Sequence, residues 1–137
     1  GYKTSMPEIA DLYHKNYLSD YAFGAVDYLV TEAKQHCDNH GGTFAVVTIP
    51  LWWVFDENAA NKIKRHSSDA AKFSSRYPDE RTAEICKRLK VPFRAGTDYF
   101  VRNDYLPNDF HWSKAGNKKA AEIIDELYVS LLKTKKL

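Results

Sequence analysis

The strongest hydrophobic pattern in the chain lies at its end. Ala120, Ile124, Leu127 and Leu131 recur at helical spacing, with Ala121, Ile123 and Tyr128 beside them. Ser113 stands where the N-cap of that helix would be. A second helical stripe runs from about Tyr21 to Asn39 through Phe23, Val26, Val30, Ala33 and Cys37, with Leu29 alongside. Gly41 and Gly42 follow it, and glycine commonly sits just past a helix C-terminus. The next run, Thr43 to Ile49, is β-branched and aromatic without alternation and is ended by Pro50. Such a strand is covered on both faces, which predicts a parallel sheet between helix layers.

The remaining pattern is weaker. Glu57 to Ser75 is polar, with Ala59, Ala60 and Ile63, then Ala70, Ala71 and Phe73, at loosely helical spacing. Tyr77-Pro78-Asp79-Glu80 reads as a helix start, and Ala83, Ile85, Cys86 and Leu89 continue it. Val91-Pro92-Phe93 leaves that helix, and Thr97 to Val101 fits a second strand or a short helix. Residues 1–20 form an irregular lead-in, in which Pro7 can open a short helix carrying Ile9, Leu12 and Tyr13. The order helix, Gly-Gly, buried strand is a piece of an α/β unit. The predicted fold is therefore α/β: one domain over 1–137, three-layered α/β/α with a mainly parallel sheet.

Composition narrows the function classes. The chain has 137 residues, enough for one domain, and a formal net charge of +2. Its basic residues make no stripe interleaved with aromatics, so no nucleic-acid partner is expected. No apolar run is long enough to span a bilayer, so no membrane partner is expected either. Lys133, Lys135 and Lys136 fall at the end of the last helix, where cations suit the dipole. Cys37 and Cys86 both lie in predicted helices and read as thiols rather than a disulfide framework. Three Trp and nine Tyr make the chain aromatic-rich, which serves either a filled core or a cleft. Trp52 and Trp53 follow the end of the predicted strand, where ligand crevices of open α/β sheets lie. They either wall a substrate cleft or cover the sheet end.

Two segments could carry chemistry. His36-Cys37-Asp38-Asn39-His40 places two histidines four apart on one helix face. It lacks the glutamate of His-Glu-x-x-His and lies at a helix end, where histidine suits the dipole, so no metal or cofactor is expected. Asp109-Phe110-His111-Trp112 precedes the final helix. Acyl transfer through a hydroxyl needs a base for its proton and a carboxylate to orient that base. A carboxylate two positions away in a tight loop can reach the imidazole, fix its tautomer and favour the imidazolium formed during attack.

The surrounding string is more specific than the triplet. Ile85-Cys-Lys-Arg-Leu-Lys-Val-Pro-Phe93, Thr97-Asp-Tyr-Phe100 and Asp109-Phe-His-Trp-Ser-Lys-Ala-Gly-Asn-Lys-Lys-Ala-Ala121 together resemble the closing third of SGNH (GDSL-like) hydrolases. Phe44 to Pro50 resembles an earlier strand of that family, and the Asp-x-His-Trp form is similar to its branch of alginate and cell-wall acetyltransferases. The resemblance implies His111 as general base and Asp109 as its orienting acid. Many members place the acid three residues before the histidine, which here is Asn108. It implies serine-dependent ester hydrolysis or O-acetyl transfer on a small ester or an O-acylated carbohydrate. Apart from the resemblance, Trp52, Trp53 and Trp112 are the candidate substrate-binding residues, able to stack on sugar rings.

The family's Gly-Asp-Ser block and the glycine-containing blocks that supply oxyanion donors have no counterpart here, and Asn103-Asp104 lacks the glycine and follows the wrong strand. Ser130 falls inside the last helix, where a nucleophile is not expected. The chain is thus expected to be the C-terminal part of a larger SGNH-like domain, inactive alone. It would be completed by an N-terminal segment of the same protein or by a homodimer partner across an open sheet edge. The rival expectation is a non-catalytic carbohydrate-binding or assembly module that keeps the α/β fold.

Overall fold

A computed structural model describes residues 5–107 and 109–134, without the side chain of Thr134. The elements in chain order are α1 (Met6–Asp11), α2 (Tyr17–Asn39), β1 (Val46–Val47), α3 (Glu57–Lys64), α4 (Tyr77–Leu89), β2 (Phe93–Arg94) and α5 (Lys114–Thr134). Short 3-10 turns occupy Trp52–Phe55, Gly96–Asp98 and Arg102–Asp104.

The three-layer α/β/α expectation is overturned. Helix accounts for 62% of the structure and strand for 5%, and the sheet is one pair of short parallel strands. Val46 pairs with Phe93 and Val47 with Arg94. Of the apolar run from Thr43 to Ile49 only Val46 and Val47 are strand, and their pairing is flanked by bonds from Val46 N–H to Pro92 O (2.9 Å) and from Thr48 N–H to Arg94 O (3.1 Å). Pro50 and Pro92 have no amide hydrogen, so each limits the ladder where it stands. Thr97 to Val101 is not the second strand; its start is a 3-10 turn, and the pairing falls to Phe93–Arg94 just upstream.

The two residues of β1 point to opposite faces, as strand geometry requires. Val46 and Phe93 pack on a core of Phe23 and Val30 from α2 with Ile85, Cys86 and Val91 from α4 and its exit. Val47 packs on a second core of Phe100, Tyr105, Ala120 and Ile123. A third core joins Ala10 and Tyr13, at and just after α1, to Trp53 and to Ile63 of α3. Each large apolar side chain so buried contributes roughly 1.5–3 kcal/mol.

The helices start where their caps place them. α2 begins before the predicted Tyr21, because Asn16 accepts from Ser19 N–H while Ser19 Oγ accepts from Asn16 N–H. α4 has Pro78 in its first turn followed by Asp79 and Glu80. α3 stops at Lys64, so the helical reading of residues 65–75 fails; turns occupy most of that stretch. In α5 the buried stripe is Ala120, Ile123 and Leu127, while Ile124 and Tyr128 are 59% and 57% exposed.

That exposed apolar row borders an open groove of about 520 Å³ between α5 and the outer edge of β1. Thr43, Val47 and Ile49 line one wall, and Ile124, Tyr128 and Leu131 the other. Strand alternation turns the backbone groups of Ala45 and Val47 toward this edge, because those of Val46 and Thr48 serve β2.

Candidate functional site

The Asp109–His111 segment is the tip of a short hairpin-like loop. An antiparallel bridge between Tyr105 and Trp112 closes its base, reinforced by Leu106 N–H to His111 O (3.0 Å). Ser113 N–H donates to Asp104 O at 2.8 Å, which ties the start of α5 to the Arg102–Asp104 turn. Ser113 Oγ then accepts from Gly116 N–H (3.2 Å), the expected cap of α5. Asp104 is buried and takes Lys119 and Val101 N–H on its carboxylate. The Asn103-Asp104 pair is therefore a structural turn beneath the loop.

On this frame His111 Nδ1 lies 2.6 Å from Asp109 Oδ1, and the same oxygen accepts from His111 N–H at 3.1 Å. The imidazole bond, then the backbone bond, holds the Asp109 carboxyl below its ordinary pKa. The His111 side chain is 83% exposed and that of Asp109 43%, so the ring's other nitrogen faces solvent. Among the described residues, no serine or threonine hydroxyl is bonded to His111. Asn108, the alternative acid position, lies outside the described residues.

The structure separates the three tryptophans. Trp53 is 4% exposed and packed between Tyr13, at 4.7 Å edge-on, and Phe73. Trp112 stacks on Phe100 with ring centres 5.5 Å apart and planes 11° from parallel. Trp52 is half-buried, with the Arg102 guanidinium 4.6 Å above its ring. Trp52 and Trp53 share a pocket of about 270 Å³ with Phe110, the residue between Asp109 and His111. Trp112 instead lines the groove beside β1. Trp112 thus has one face covered by a stacked ring, and Trp53 is buried among aromatic rings.

A Ser-His-Asp cluster escaped the sequence reading because its members lie far apart in the chain. Asp11 Oδ1 accepts from Ser68 N–H (2.7 Å) and Ser68 Oγ (2.9 Å), and lies 3.0 Å from His14 Nε2. Burial alone would raise the Asp11 pKa, but the bonds from Ser68 and His14 outweigh it and hold the carboxyl low. This is not a relay. Ser68 Oγ and Asp11 both approach the same ring nitrogen, whereas a triad uses opposite ones. His14 is 2% exposed and out of a substrate's reach. The cluster locks the exit of α1 to the turn after α3.

At the end of α2, His40 Nδ1 lies 2.7 Å from the His36 carbonyl and the two rings are 4.3 Å apart. Among the described residues, no group of three His, Cys, Asp or Glu side chains could hold a metal ion. Both cysteines are free, and burial raises the pKa of the Cys86 thiol.

No protein-family model, curated protein or solved structure matches the chain.

Proposed function

We propose that this chain carries the base and its orienting acid for a serine-dependent ester hydrolase or O-acyl (acetyl) transferase of the SGNH type. The observation that carries the reading is the 2.6 Å contact between His111 Nδ1 and Asp109 Oδ1 on an exposed, well-anchored loop. Asp109, kept ionised, holds the proton on Nδ1 and leaves Nε2 free as a base. An attacking serine hydroxyl gives its proton to Nε2 as its oxygen bonds to the ester carbonyl carbon. The imidazolium then returns that proton to the departing alkoxide, leaving an acyl-enzyme. Water or an acceptor alcohol repeats the sequence and releases the acyl group.

The serine and the oxyanion donors would come from a further segment of the protein or from a second copy. The groove beside β1 is the seat the geometry favours for it. Its apolar walls and the outward backbone groups of Ala45 and Val47 suit an extended chain, and Trp112, next to His111, is among its lining residues.

The test is turnover of p-nitrophenyl acetate by the complete gene product. His111→Ala should reduce turnover by about 10³-fold or more, and Asp109→Asn by a similar order. Equal turnover in His111→Ala and parent protein would refute the assignment.

A further inference from the structure

The pocket beside the loop has the volume and lining of a site for a small apolar group. Its floor is Trp53 and Ile63, both buried, and its walls include Leu51 and Trp52. At the exposed rim stand Phe110 and Lys62. Lys62 is the one charged residue lining it, and among the described residues it has no ion-pair partner. An apolar interior with one unpaired cation at the mouth complements a single-chain amphiphile with an anionic head.

We infer that this pocket binds an unbranched, medium-length acyl chain, tail against Trp53 and Ile63 and carboxylate at Lys62. A cavity of about 150 Å³ holds a six-carbon ring, so one of about 270 Å³ takes a chain of roughly ten carbons at most. Phe110 is flanked by Asp109 and His111, so the mouth opens against the loop that carries the base. The bound carboxylate is what ester hydrolysis would release. Its assignment as the acyl part of the substrate rests on the catalytic reading above and makes the acyl group longer than acetyl; the binding itself does not depend on it.

The 137-residue chain is titrated with sodium butanoate, hexanoate, octanoate and, for comparison, 1-octanol. Calorimetry and the fluorescence of Trp52 and Trp53 are the readouts. Octanoate should saturate one site, affinity should rise by up to about fourfold per added methylene, and 1-octanol should bind more weakly than octanoate. Ala59→Trp, which fills the pocket, should abolish the site, and Lys62→Gln should bring octanoate down to the level of 1-octanol. Absence of saturation, affinity independent of chain length, or a folded Ala59→Trp binding as tightly as the parent would overturn the inference. His111→Ala should bind octanoate unchanged, so loss of the catalytic reading and loss of the pocket are separate results.

Discussion

The phenolic hydroxyl of Tyr105 donates to the carbonyl of Pro50 at 2.6 Å. This one bond joins the segment leaving β1, which carries Trp52 and Trp53, to the base of the loop that carries His111. Tyr105 is 3% exposed, and burial raises its pKa, partly opposed by a hydrogen bond with Trp112 and helped to a lesser degree by the nearby acids Asp104 and Asp79, so the hydroxyl stays a donor at neutral pH. Tyr105→Phe should cost about 1 kcal/mol, or roughly 3 °C in Tm, by calorimetry. An unchanged Tm would mean the bond does not hold the two segments together.

Two glycines on helices should respond to alanine with opposite signs. A Cβ at Gly24 in α2 meets nothing within 4 Å, so Gly24→Ala should stabilise by up to about 1 kcal/mol through helix propensity alone. A Cβ at Gly116 in α5 would lie 2.0 Å from the Asp104 carbonyl oxygen, the group that receives Ser113 N–H. Gly116→Ala must push α5 off the loop and should destabilise by about 3 kcal/mol. Urea denaturation of both variants checks the pair, and two shifts of the same sign would contradict the packing described for the start of α5.

The lock at Asp11 predicts a pH dependence with a definite sign. Its folded-state pKa lies below the ordinary value of 3.8, so the folded protein binds fewer protons at this group than the unfolded chain near that pH. The stability it contributes is fully present above the ordinary value and is lost as pH falls through the depressed one. Asp11→Ala should cost about 1–3 kcal/mol at neutral pH, since it strips the acceptor from Ser68 N–H and His14. The gap between variant and parent should narrow as pH falls through the depressed folded-state value. A gap that persisted there would show that the carboxylate is not the source.

The outer edge of β1 gives a prediction in hydrogen exchange. The amides of Val46 and Thr48 are bonded to Pro92 and Arg94, whereas those of Ala45 and Val47 face the open groove. In the 137-residue chain Ala45 and Val47 should exchange at least about tenfold faster than Val46 and Thr48. Equal protection would show that the edge is already covered by a second copy.

Different physics made different parts of this protein legible. α4 and α5 were readable because apolar spacing and start signal agree: Pro78 with Asp79 and Glu80 fills the first turn of one, and Ser113 caps the other. In the run from Thr43 to Ile49 only Val46 and Val47 form a strand, since periodicity carries no information on how many neighbours a strand has. Pairing was limited by two prolines and by the lack of a partner on the outer edge among the described residues, so the layered sheet did not follow. Asp109 and His111 were visible because a single residue separates base from acid. The bridge from Tyr105 to Trp112 that aims them was not, since that stretch has no period. The bond from Asp11 to Ser68 spans 57 positions, beyond any local pattern.

The oriented imidazole is tested most directly by ¹⁵N spectroscopy of the His111 ring in the 137-residue chain, with Asp109→Asn as the comparison. At a pH where the ring is neutral, the proton should reside on Nδ1, with Nε2 showing the shift of an unprotonated nitrogen, and that preference should fall away in the variant. A ring protonated on Nε2, or a tautomer balance the same in both proteins, would contradict a base steered by Asp109.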